Sequence, residues 1–386
     1  MFDKASQIAP QLTEWRRDFH RHPELSFQET RTSGKVAQQL ESMGWRVRTG
    51  VGRTGVVADL GQGKPMVAIR ADMDALPIQE ANETPYASEN PGLMHACGHD
   101  AHTAIALGVA DLLASESFPG TVRLLFQPSE EAADEEGISG APRMIQDGAM
   151  QDVDLVLALH VDAHTRAGDI RVAEGPASGG VDTFYATICG KGGHGARPFE
   201  TVDPLLIASQ VLSCLYAIPS RRLDPFDPAV VSLGSLHGGD APNVIPDQVT
   251  LSGTIRFMRP EVQKQIHAEI RQAFELSRTM GGDYDLEFEI GVPPMINAPE
   301  AAALIRQAGA ALLGKEHVLP PLKGLGAEDF GCFSEIAPGA MFGLGCLIEG
   351  DPRFHHHPRF DIDERCLPIG AAVLAESALR YLRDSQ

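Results

Sequence analysis

Eight residues, "HACGHDAH" (95–102), hold three histidines, a cysteine and an aspartate. Cys97 and His99 stand two apart, and both are ligand types for zinc or another borderline divalent cation. The same stretch also suits a thiol nucleophile, with Cys97 near His99 and His102. A lone histidine or cysteine is more often packing than chemistry, and C-x-H by itself is a weak pattern. The adjacent pair Glu130–Glu131 is equally weak alone, since acids cap helices and face water. Read as a division of labour it gains meaning. One carboxylate of such a pair can bind metal while its neighbour holds a water and serves as general base.

Periodicity shows which elements must carry these residues. Ile8, Leu12, Trp15 and Phe19 share one face of a helix over 5–21, stopped by Pro23, and a second helix spans 31–43 with Gly44 beyond it. Short apolar runs at 55–60, 66–71, 121–126 and 154–159 have the length and β-branched content of buried strands, with a helix at 103–115 among them. Strands alternating with helices predict an open α/β sheet covered on both faces. Three of the runs lead directly into polar residues. The run 66–71 meets Asp72 and Asp74, 121–126 meets Glu130 and Glu131, and 154–159 meets His160. Ligands of open α/β sheets bind outside the carboxyl ends of the strands. The chain is therefore expected to gather Asp74, Cys97, His99, Glu130, Glu131 and His160 at one rim. That joint placement, more than any single motif, points to metal-dependent hydrolysis. "FHHHPRFDIDE" (354–364) lies inside an apolar frame, unlike a tag, and could send a histidine to the same rim.

Near residue 180 the rhythm changes. Strands at 181–190, 229–236, 248–258 and 284–290 with helices at 203–217 and 260–282 give the order β-α-β-β-α-β, which is ferredoxin-like. The α/β rhythm resumes with a helix at 298–314, a strand at 340–345 and a helix at 363–383. Turn-rich junctions frame the insert, so a catalytic domain at 1–179 and 292–386 is expected to carry an inserted domain at 180–291. Within the insert, "GKGGHGARP" (190–198) sets His194 in a glycine-rich turn, and "GGDAPNVIPD" (238–247) sets Asn243 in another. Turn chemistry explains both as readily as ligand contact does. Neither has the context or the Lys-Ser/Thr ending of a P-loop, which argues against nucleotide binding.

A net charge of −20 would repel nucleic acid phosphates. No run approaches the ~18 apolar residues of a membrane span, and the N-terminus lacks the apolar core of a secretion signal, so a cytoplasmic location is expected. The six cysteines are scattered, unlike a disulfide framework, and all but Cys97 are expected to be buried small hydrophobes.

Together the segments "WRRDFHRHPELSFQE", "RADMDALPIQE", "MHACGHDAHTA", "QPSEE", "GKGGHGARP", "NVIPD", "GAEDF" and "HHPRFDIDE" resemble the amidohydrolase family of hippurate hydrolases, N-acyl-L-amino acid amidohydrolases and indoleacetyl-amino acid hydrolases. That family sits within the dizinc aminoacylase and carboxypeptidase superfamily, and the likeness runs in order from about residue 15 to 370. The resemblance implies two divalent ions per subunit, zinc first and manganese, cobalt or nickel as substitutes. It implies Cys97, His99, Glu131, His160 and His356 as ligands, Glu130 as general base and Asp74 as the acid that orients the metal site. His355 and His357 flank the last ligand. The resemblance further implies that His194 meets the scissile carbonyl and that Asn243 lies near the substrate carboxylate. An inserted lid or dimerisation domain, a homodimer or larger homo-oligomer, and a small N-acyl amino acid substrate complete what it implies, with small peptides as the alternative. Two segments depart from the family's habit: the acidic stretch 132–142 and "VDAHTRAGDI" after His160, which adds His164.

Overall fold

The computed structural model describes residues 1–322 and 324–384. The chain divides into two compact units, the first built on Met1–Ala177, Ile296–Leu322 and the C-terminal residues from Asp329, the second on Ser178–Met295. Each has its own hydrophobic core.

The first unit holds a mixed sheet. Its long strands are β1 (Arg46–Val51), β2 (Gly55–Gln62), β3 (Met66–Asp72), β4 (Gly120–Gln127), β5 (Leu155–Arg166) and, after the second unit, β10 (Gly339–Leu347). They lie in the order β1-β2-β4-β3-β5-β10, extended by two short strands at Ile170–Arg171 and Val318–Leu319. The centre, β4-β3-β5-β10, is parallel, while β1 and β2 add antiparallel pairings. Alternate residues of the buried strands serve opposite faces, as strand geometry requires. Val67, Ile69, Leu155, Leu157 and Leu159 join one core with residues of α4 (His99–Ala114) and α8 (Cys366–Asp384). On the opposite face Arg70 bonds Asp329, which precedes a short helix, Phe330–Ser334.

The expected helix over 5–21 is two, α1 (Phe2–Gln7) and α2 (Ala9–Arg21). Pro10 has no N–H to give Ser6, so the helix restarts with proline in a first turn, where no donor is needed. α3 spans Thr30–Ser42. Among the other cysteines Cys346 and Cys366 are buried, but Cys189 and Cys332 are only partly so and Cys214 is exposed, which corrects the expectation for these three.

The second unit is a four-stranded antiparallel sheet with two helices. Its elements in chain order are β6 (Gly180–Cys189), α5 (Pro204–Arg221), β7 (Ala229–His237), β8 (Gln248–Phe257), α6 (Pro260–Thr279) and β9 (Asp283–Ile290). The sheet order β7-β8-β6-β9 is the ferredoxin-like arrangement. The Asp203 carboxylate accepts from Leu205 and Leu206 N–H and caps α5. Edge strand β9 alternates from Asp283 to Glu289, with Asp283, Asp285, Glu287 and Glu289 exposed and Tyr284, Leu286 and Phe288 packed on the core, and ends on the exposed Ile290. α7 (Pro299–Leu313) returns the chain to the first unit.

Candidate metal centre

α4 begins at His99, four residues before the expected start, so His99 and His102 lie in its first turn and only 95–98 form the preceding loop. Gly98 makes the turn with φ +96°, and a Cβ there would collide with Val161. β5 does not stop before His160 but runs on to Arg166, carrying His160 within it. Glu130 and Glu131 follow β4 by three and four residues.

These segments bring most of the expected residues together. Cys97, His99 and His160 offer ligand atoms within 4.8 Å of one another, and so do Cys97, Glu131 and His356, and His99, Glu130 and Glu131. The Cys97 Sγ and His160 Nε2 are 3.5 Å apart. His99 Nδ1 lies 2.9 Å from the Asp74 carbonyl oxygen and 3.2 Å from its Oδ1, so this nitrogen carries the proton and donates. That leaves Nε2 facing the cluster, buried and with no hydrogen-bond partner. His160 does the same, its Nδ1 donating to the Val161 carbonyl at 2.8 Å. Histidines that hold metals are oriented in this way, one nitrogen tied to oxygen and the other free to ligate. A buried imidazole nitrogen without a partner is costly, and a divalent cation among sulfur, nitrogen and carboxylate donors relieves it. The residues present fit such an ion.

Asp74 organises the acidic side. Its Oδ1 accepts the Glu130 N–H and its Oδ2 the Glu131 N–H, each at 3.0 Å, and Ser26 donates to Oδ2 at 2.7 Å. The two glutamates are thereby fixed through their backbone. Of the histidine triplet, His356 approaches the cluster, with Nε2 3.2 Å from Glu131 Oε1 and its N–H bonded to the Ala96 carbonyl at 2.8 Å. His356 sits at φ +59°, an unusual conformation for a residue other than glycine. His355 packs on His160, ring centres 5.3 Å apart, and His357 accepts from the Arg359 N–H. His164 is outside the cluster, stacked on Phe354.

The electrostatics favour added positive charge. Burial pushes the Cys97 thiol well above its ordinary range, so without a cation it stays protonated. Burial pulls His99 down, but the Asp72 carboxylate outweighs it and holds the imidazole well above its usual value, so without a cation Nε2 carries a proton that a bound ion would displace. Burial raises Glu131, while the His356 bond and the charge on His99 lower it below the normal carboxylate range.

Two residues near the rim took no part in the expected site. Asp72 accepts from His102 Nδ1 at 2.6 Å and pairs with the buried Arg70. His102 Nε2 in turn accepts the Val161 N–H at 2.9 Å, so this ring is neutral and spent on structure. The alternation "RADMDA" shows two aspartates in sequence but not which one meets which histidine. His194 and Asn243 lie in the second unit, where Gly193–His194 pairs with Val244–Ile245 and the Gly195 N–H donates to the Asn243 carbonyl at 2.8 Å.

The chain belongs to peptidase family M20/M25/M40, whose description matches residues 68–380, and it is a hydrolase of that family. It is 38% identical over 386 residues to an N-acetyl-L-cysteine deacetylase of Bacillus subtilis, covering 99% of this chain and 90% of the relative. It is 38% identical over 380 residues to an IAA-amino acid hydrolase of Arabidopsis thaliana, covering 96% and 86%. Among solved structures it resembles a Bacillus subtilis protein described as a dinuclear metal-binding peptidase of the M20 family. That likeness has a TM-score of 0.85 and 33% identity, over 98% of this chain and 99% of the other.

Proposed function

We propose that this chain hydrolyses the amide bond of N-acyl-L-amino acids, of N-acetyl, N-benzoyl or indoleacetyl type, to a carboxylate and a free amino acid. The observation that carries the reading is the partnerless, buried His99 Nε2 among Cys97, Glu131 and His160. Cys97, His99, Glu131, His160 and His356 would hold two divalent ions, zinc before manganese, cobalt or nickel. When bound, such ions supply Lewis acidity and bring the pKa of a water from ~15.7 towards ~7. Glu130 takes the proton of the attacking water as hydroxide adds to the amide carbonyl carbon. It then delivers that proton to the departing nitrogen as the C–N bond breaks. Asp74 acts through its neighbours, fixing His99 and the backbone of both glutamates. We assign His194 to the developing oxyanion and Asn243 to the substrate carboxylate, with residues 180–291 as a lid and homodimer-forming domain on a cytoplasmic enzyme whose catalytic domain is 1–179 and 292–386. The two relatives at 38% identity, a deacetylase of N-acetyl-L-cysteine and an IAA-amino acid hydrolase, support the substrate class.

A second reading, a dipeptidase or carboxypeptidase using the same residues on small peptides, is favoured by the likeness to a solved M20 peptidase. A thiol hydrolase is disfavoured, because burial keeps Cys97 protonated. The test is a panel of N-acetyl, N-benzoyl and indoleacetyl amino acids against dipeptides, with each metal in turn. Glu130→Gln should lower turnover by about 10²–10⁴-fold with bound metal unchanged, and full activity in that variant would remove Glu130 from the mechanism.

A further inference from the structure

Glu29 immediately precedes α3, where a side chain ordinarily caps the first free N–H groups of its helix. It does not do so. The N–H groups of Arg31 and Thr32 go to the Glu24 carboxylate instead, at 2.9 and 2.8 Å. The Glu29 carboxylate, fully buried, turns away from its own helix. Its Oε1 accepts the Phe27 N–H at 3.0 Å and the Ser129 N–H at 2.9 Å, and its Oε2 accepts the Thr54 hydroxyl. Phe27 and Ser129 have φ of +59° and +50°. Left-handed backbone at residues other than glycine costs about 1–3 kcal/mol each and persists only where surroundings enforce it. One carboxylate oxygen holds both strained peptides, one of them two residues before Glu29 and the other 100 residues after it.

Ser129 immediately precedes Glu130 and Glu131. The N–H groups of 129, 130 and 131 thus go in succession to Glu29 Oε1, Asp74 Oδ1 and Asp74 Oδ2. The far side of the turn is closed too, with the Gly140 N–H on the Ser129 carbonyl at 2.8 Å. Three consecutive peptide groups held in this way fix the directions in which the two glutamate side chains leave the backbone.

We infer that Glu29 is a positioning residue of the hydrolytic site, holding the Ser129 turn so that Glu130 and Glu131 point to separate tasks. This rests on the roles proposed above for those two glutamates. What Glu29 supplies is a pair of acceptors at a set reach, so glutamine should replace it. In Glu29→Gln the amide oxygen accepts from Phe27 and Ser129 while the amide nitrogen donates to the Thr54 oxygen. Glu29→Asp keeps the charge but falls one methylene short, and Glu29→Ala removes the acceptor.

The experiment compares kcat, KM and zinc affinity, the last by competition with a chromogenic chelator. Glu29→Gln should stay within about threefold of the parent chain in all three, whereas Glu29→Asp and Glu29→Ala should lose about 10–100-fold in kcat and about tenfold in zinc affinity with KM little changed. Should Glu29→Ala not fold, the Asp and Gln variants decide. Wild-type kcat and zinc affinity in Glu29→Asp, whatever its melting temperature, would overturn the inference, as would a Gln variant as impaired as the Asp one. Failure of the parent chain on every N-acyl amino acid and dipeptide would instead refute the proposed function, and the zinc titrations would still report on Glu29.

Discussion

Asp74 accepts four hydrogen bonds, from Ser26, His99 and the backbone of Glu130 and Glu131. Asp74→Asn replaces one accepting oxygen with a donor that must face donors already in place. We expect a 10–100-fold loss of zinc affinity in a chelator competition, and an unchanged affinity would show that the glutamates hold their places without it. Glu29 gives a prediction with a pH signature. Burial lifts its carboxyl to about 7, with Asp74 adding to the rise while its hydrogen bonds oppose it. The unfolded chain ionises near ~4.3, so between there and 7 folding loses stability as pH rises. Glu29→Gln escapes that loss. Its melting temperature in metal-free protein should gain on the parent's by more at pH 8 than at pH 5, and an equal gap at both would contradict the assignment. At this scale the sequence was partly legible. Glu130, Glu131 and His160 follow or interrupt apolar strands and announce themselves. Glu29 and Ser129 do not: both stand in segments that carry the family resemblance, yet their bond spans 100 residues and nothing in either segment shows that they meet. The choice of His356 within its triplet depends on a left-handed φ that no side-chain pattern encodes.

Among the elements, the start of α4 matters most, because Cys97 and His99 flank its first residue boundary at Gly98. That glycine has φ +96°, and a methyl group there meets Val161 and Phe360. Gly98→Ala should cost about 1–3 kcal/mol in urea unfolding and weaken zinc binding together, since the same strain displaces both neighbouring donors. Wild-type stability and affinity would mean that Val161 and Phe360 yield freely. The placement of β3, β4 and α4 could be read from apolar runs and their polar exits. Three boundaries could not. α4 starts four residues before its apolar run, at His99. Pro10 splits the first helix although the apolar face continues across it, and β5 runs past His160 because its pairing with β10 continues, with Gly343 opposite His160 and Gly345 opposite Asp162. A strand's end is set by the partner beside it, which a single segment does not reveal.

At the level of the molecule, the two units have separate cores, and the metal-ligating donors proposed here all belong to the first. A ligand that binds only folded protein stabilises it by about 2.7 kcal/mol at a hundredfold excess over Kd. Calorimetry with zinc and with a chelator should therefore move the transition of the larger unit and leave that of the smaller one in place, and equal shifts in both would show that they unfold as one. The β-α-β-β-α-β order of the second unit was legible because β6, β8 and β9 alternate between a wet and a packed face, which prints a period of two on the sequence, while β7 shows only as a short apolar run. That same alternation has an outcome for association. The margin of the sheet formed by β9 presents Asp283, Asp285, Glu287 and Glu289 in a single column. An approaching strand that tried to zip onto it in register with a copy of itself would set carboxylate against carboxylate at every second rung, so this border is guarded against runaway stacking. The opposite border, β7 from Ala229 to His237, carries no aspartate, glutamate, lysine or arginine and has no such guard.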